Sequence, residues 1–249
     1  MANQKGIIKI EGTVGGMTFY KKDGQYLVKE KSSISADKIA NDPAFARTRE
    51  NNAEFGAAGT AGKLLRDALR NMMLNASDSL VTSRVTQLMS DELKLDATSV
   101  RGKRTPANGL AGVAGKTLLK GFNFNANSML SGVLFKPYTV VSATGVITIT
   151  GLNPATDIAA PAGATHMSVT GGMANVNFAT GVWASSLTNV QNLALNAAAS
   201  TVTLTPTAVP AGTGIKVHLL KIEFFQLLNG VQYPLKNGSF NTLAIVEVA

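Results

Sequence analysis

The sequence predicts a mainly β protein with a small α component. An N-terminal β-hairpin and two helices precede a C-terminal antiparallel β-sandwich of immunoglobulin-like or other Greek-key order. Three observations predict this. Threonine- and valine-rich runs with frequent alternation fill the second half, in "YTVVSATGVITITGL", "THMSVTGGMANVNF" and "NTLAIVEVA", with turn signals about every 8–12 residues, the spacing of a sandwich. Helical spacing of apolar and small residues is confined to the first half. Charge divides the same way: residues 1–125 hold 19 of the 23 Lys and Arg and 12 of the 15 Asp and Glu, a net +7 against +1 for the remainder. The expected organisation is therefore a basic α+β domain, 1–125, and a charge-poor β-sandwich domain, 126–249.

In "GIIKIEGTVGGMTFYKKDGQYLVKEK", Ile8, Ile10 and Val14 alternate with polar residues, and Met17, Phe19, Tyr26 and Val28 fit strand faces. Asp23–Gly24 between two such runs supplies the positive φ of a tight hairpin. Lys21, Lys22, Lys29 and Lys31 around it read either as a phosphate grip or as charge that protects an exposed strand edge. Asp42–Pro43 starts a helix, with Asp as N-cap and Pro as first helical residue. Phe45, Asn52, Phe55, Ala58, Gly62, Leu65 and Leu69 then recur at helical spacing. Each glycine inside a helix costs about 1 kcal/mol relative to alanine, so Gly56, Gly59 and Gly62 need a close backbone approach to explain them. Phe45, Phe55, Gly59 and Gly62 are the candidate assembly and packing positions. Opposite charges at Arg47/Glu50 and Lys63/Asp67 have the spacing at which side chains meet on a helix.

A second helix is expected from Asp78 to about Leu93, with Leu80, Val81, Val85, Leu88 and Met89 inward. Arg101, Lys103 and Arg104 follow in a Gly/Pro-rich loop as the densest unbalanced positive cluster, and they are the candidate anion contacts. "GLAGVAGKT" superficially resembles a phosphate-binding loop, but the glycine required five residues before Gly115 is Leu110. Together, "TFYKKDGQYLVKEK", "DPAFARTRENNAEFGAAGTAGKLLR" and "LLKGFNFN" resemble a family of uncharacterised Bacteroidetes proteins with a β opening, a glycine-containing helical middle and a β-rich end. The resemblance implies a shared architecture and no activity.

In the second half Asn229–Gly230 is the strongest hairpin signal, and Trp183, Phe178, Phe224 and Phe225 are expected core anchors. His166 and His218 are expected on strands, facing solvent or a satisfied partner. With no cysteine and two histidines, a disulfide framework, a thiolate metal site and a His-based triad have little material. Asp157, Glu223 and Glu247 are too sparse for a paired-carboxylate site. No catalytic, metal or cofactor constellation is expected. No run of about 20 apolar residues would span a bilayer. The opening has no signal core, so synthesis in the cytoplasm without a cleaved signal peptide is expected. The leading functional expectation is a non-enzymatic structural subunit that assembles with copies of itself into a filament, tube or phage-like shell. The alternative is a basic module contacting nucleic acid or another acidic partner, and an enzyme ranks third.

Overall fold

Four short strands open the chain: β1 (Ala2–Asn3), β2 (Gly12–Val14), β3 (Met17–Lys22) and β4 (Gln25–Glu30), in one antiparallel sheet ordered β1-β4-β3-β2. Asp23 and Gly24 take φ of 50° and 78°, so the predicted hairpin joins β3 to β4 with Lys22 opposite Gln25. The computed structural model describes residues 2–31, 34–235 and 239–249. The chain divides into two compact units, Met1–Asn51 and Asn52–Ala249. In the first unit, Ser35 caps α1 (Ala36–Asn41) by accepting from the Lys38 N–H. Asp42 caps a 3₁₀ turn, Pro43–Phe45, by accepting from the Ala44 N–H at 2.9 Å.

Ile8 and Ile10 do not form the expected strand. The Gln4 side chain donates to the Ile10 carbonyl and accepts from the Ile10 N–H, so that backbone is satisfied without a ladder. This loop leaves Ile7 and Ile8 at 101% and 81% exposure.

Helices α2 (Ala46–Ala68), α3 (Arg70–Met73), α4 (Val81–Lys94), α5 (Pro106–Ala111), α6 (Val113–Leu119) and α7 (Leu130–Val133) come next. The β-rich part then runs β5 (Thr139–Val141), β6 (Val146–Leu152), α8 (Pro154–Asp157), β7 (His166–Asn177), β8 (Val182–Ala194), β9 (Ser200–Leu204), β10 (Ile215–Leu228), β11 (Val231–Pro234) and β12 (Thr242–Val248). Asn229 and Gly230 turn β10 into β11 at φ of 50° and 79°, as the sequence predicts.

These strands form a sheet ordered β11-β10-β7-β8, with β12 also on β10, and a second sheet ordered β5-β6-β9. Consecutive strands β6 and β7 lie in different sheets, as do β9 and β10, while β6 pairs with β9 and β7 with β10. Strands that follow one another in the chain thus cross between two antiparallel sheets, and the place beside β10 is shared between β11 and β12.

Side-chain alternation makes the larger sheet the middle of three layers. Leu220, Ile222 and Phe224 of β10 and Ala244 and Val246 of β12 join Ile147, Ile149, Val202 and Leu204 of the smaller sheet in one core. Val217 and Leu219 of β10 and Leu243 and Ile245 of β12 point the other way, into a core with Leu65, Leu69, Val85, Met89 and Leu119 of the helices. A strand buried on both faces reads as a nearly continuous apolar run, which accounts for "HLLKIEFF" and "LAIVEV". Residue 125, where the charge density changes, lies inside this second unit. Asn125 donates to the Asn241 carbonyl at 2.9 Å, and Asn241 donates to the Asn75 carbonyl at 2.8 Å. Helices before it and strands after it thus share one core.

Candidate functional site

The glycine-containing helix separates its candidates. On α2 the buried residues are Ala58, Ala61, Gly62, Leu65 and Ala68. A Cβ on Gly62 would lie 3.4 Å from Val85 Cγ1 and 3.6 Å from Thr86 Cα, so Gly62 admits α4 at close range. Gly56 and Gly59 face open space, and Phe55 is 68% exposed. Phe45, in the first unit, is half-buried. Gly62 is therefore an internal packing position, while Phe55 and Gly59 lie on the outward side of the helix. The expected Arg47–Glu50 pair forms at 2.9 Å; Asp67 meets Arg70 at 3.4 Å.

Two carboxylates organise the loop that carries the basic cluster. Glu54 receives the Arg104 guanidinium through both oxygens, each at 2.8 Å, and the Gly102 N–H at 2.7 Å. The Arg104 hydrogen bond is the main cause of a lowered Glu54 pKa, opposed by burial. Asp96 accepts from the N–H groups of Thr98, Ser99 and Thr105, from the Thr98 hydroxyl and from the Asn108 amide. Burial would raise the Asp96 pKa, but these bonds outweigh it and hold the carboxyl well below the usual range. Arg104 is thus committed to an internal, part-buried ion pair, which corrects its reading as an anion contact. Lys103 and Arg101 lie exposed on the same loop.

Glu92, on the inward side of α4, was not singled out in the sequence. It is fully buried, and neither carboxylate oxygen has a partner. Burial, helped by the neighbouring Asp91 charge, pushes its pKa up to about 8. The helices close around it: a Cβ on Gly109 would fall 1.9 Å from the Glu92 carbonyl oxygen, and one on Gly115 would fall 2.7 Å from Glu92 Oε2. The motif that resembled a phosphate loop is two short helices whose glycines fit against α4.

The strand residues bring further corrections. His218 is fully buried and its ring nitrogens have no partner, contrary to the expected solvent-facing or satisfied position. Burial lowers its pKa, with Glu247 opposing and Lys216 assisting, so the ring is neutral near pH 7. Trp183, 43% exposed on β8, is not a core anchor, whereas Phe224 is. Around Trp183, β8 is the outermost strand of its sheet, and its second side is bonded only farther along, where Thr188 bridges to Pro206. Each C-terminal carboxylate meets a lysine: Asp157 with Lys136 at 3.5 Å, Glu223 with Lys221 at 3.0 Å and Glu247 with Lys120 at 2.6 Å. Among the described residues no group of three or more His, Cys, Asp or Glu gathers to hold a metal ion, and no helix is long and apolar enough to cross a membrane.

The first unit presents a different kind of surface. Register places Val14, Met17, Phe19, Tyr26 and Val28 on one face of its sheet, with Lys21 and Glu30 at opposite ends of that face. Thr18, Tyr20, Leu27 and Lys29 occupy the other face. No described residue of this unit is buried. Neither a protein-family model, a curated protein nor a solved structure matches this chain.

Proposed function

We propose that the chain is a non-enzymatic structural subunit that assembles with copies of itself into a filament, tube or phage-like shell. The observation that carries this reading is the first unit: a four-stranded sheet with an apolar face and no buried residue among those described. A sheet gains stability by covering an apolar face, and a unit of this size buries only enough surface for marginal stability. The outward side of α2, with Phe55 exposed and Gly56 and Gly59 in open space, gives a second surface that a neighbouring copy can approach closely. Two separate surfaces on one subunit let each copy contact more than one neighbour, so that contacts can propagate into an extended assembly or close into a shell.

Negative-stain electron microscopy with light scattering, at low and high salt, tests the proposal. Regular polymers or closed shells that persist at high salt are expected, because contacts through apolar surface are not screened. A single-subunit particle under every condition overturns it. The alternative, a basic module for nucleic acid or another acidic partner, draws on the net charge of +8 and the exposed Lys103, but the Glu54–Arg104 pair removes much of its cluster. It predicts binding that weakens steeply with salt.

A further inference from the structure

Resting on the self-assembly reading, we infer that the apolar face of the β1–β4 sheet is covered by the same face of a second copy, across a two-fold axis that lies between the sheets and perpendicular to the strands. Strict alternation assigns this face. Val14 stands opposite Met17, Phe19 opposite Val28 and Lys21 opposite Tyr26, so these six side chains share a side with Met17's other neighbour, Glu30. Val14 and Met17 are exposed, and Phe19, Tyr26 and Val28 are half-buried. The opposite face is the polar one, as expected of a sheet with a single side meant for a core.

The charges at its ends make this face complementary to a second copy of itself and select the orientation. Lys21 and Glu30 sit at opposite ends of the apolar face, on neighbouring strands. Lys21 stacks on Tyr26, its ammonium 5.3 Å from the ring centroid. Two such faces can stack with a two-fold along the strands or perpendicular to them. The first places Lys21 beside the second copy's Lys21, and Glu30 beside its Glu30. The second exchanges the ends, so each Lys21 comes diagonally over a Glu30, and the pair occurs twice. Like charges brought together are destabilising and opposite ones set register, so the perpendicular axis is the one that this face is built for. Phe19 then lies over Phe19 and Val28 over Val28, with the sheets about 10 Å apart as in a sandwich.

Charge reversal on the full chain tests this, with assembly read by sedimentation velocity and microscopy. Lys21→Glu and Glu30→Lys each place like charges twice in the seam and should weaken assembly about tenfold. The double exchange Lys21→Glu/Glu30→Lys restores the pairing and should return assembly close to the unmodified level. Both residues are exposed, so folding is preserved, and circular dichroism verifies it. The chain has no cysteine, so Val28→Cys gives a unique label. A bifunctional reagent spanning about 10 Å should join it to its own counterpart. Intact assembly in all three charge variants, without a Val28 cross-link, overturns the seam and leaves self-assembly standing. Weakening by both single variants without rescue by the double also overturns the seam. Cross-linking of Phe19→Cys to Val28→Cys in mixed samples, but not of Val28→Cys to itself, overturns the proposed axis. An unmodified chain that stays a single subunit under all conditions overturns both proposals.

Discussion

The two units of this chain solve the same problem in opposite ways. The second surrounds its central sheet with helices on one face and a smaller sheet on the other, so its middle strands carry apolar residues on both sides. The first builds a sheet with one apolar face and buries no described residue. Low charge density and a lack of buried residues thus mark different parts of the chain. In the strands after residue 125 low charge density reflects burial within the chain. In the lysine-rich opening, alternation instead places apolar residues on one face of a sheet in which no described residue is buried.

If the contrast is correct, equivalent truncations should behave differently in the two units. Phe224→Ala, at a position 1% exposed, should cost about 3–5 kcal/mol in urea unfolding. Phe19→Ala should shift the same midpoint little and instead reduce assembly measured by light scattering. A large loss of subunit stability from Phe19→Ala would erase the distinction.

The glycines sharpen it further. Gly109→Ala forces a Cβ to within 1.9 Å of the Glu92 carbonyl, a backbone clash that should destabilise by at least about 1–3 kcal/mol. Gly59→Ala meets nothing within 4 Å and should stabilise the isolated subunit by about 1 kcal/mol through helix propensity. If Gly59 is an approach surface, the same variant should impair assembly while raising the thermal midpoint.

Intermediate in size is the loop anchored on Glu54. Glu54→Gln leaves the Arg104 guanidinium without its charge partner and should lower the urea midpoint by less than Phe224→Ala does. Hydrogen exchange should show residues 100–105 losing protection first.

Glu92 supplies a pH dependence that belongs to the second unit alone. Its pKa in the fold, about 8, lies above the 4.5 of an ordinary glutamate, so between those values the folded chain holds a proton that the unfolded chain has released. Its contribution is full below about pH 4.5 and is lost as pH rises toward 8. Glu92→Gln should flatten that fall, gaining most over the unmodified chain near pH 9 and least near pH 4.5. Equal slopes from pH 5 to pH 9 in the two proteins would refute the assignment.

Local chemistry was legible where one or two residues dictate geometry. Asp23–Gly24 and Asn229–Gly230 became hairpins because each pair accepts positive φ, and Asp42–Pro43 started a helical turn because one residue caps and the other has no N–H to satisfy. The Ile8–Ile10 strand failed because Gln4, from outside the window, takes the backbone bonds of Ile10. The basic loop was misjudged because Glu54 lies about fifty residues from Arg104 in the chain. Trp183 is too exposed for a core anchor because β8 is outermost at that point, and sheet order is invisible to periodicity.

By itself the sequence determined the turns, the period of each element and the strand-rich character of the second half, since these follow from backbone preferences and nearest neighbours. Only the tertiary structure decided that helices and strands share one core across residue 125, that Arg104 is spent on Glu54, that Glu92 and His218 are buried without partners, and that no described residue of the opening unit is buried. The physical reason is the same in each case: burial and ion pairing depend on distances between residues remote in the chain, and those distances exist only once the chain has folded.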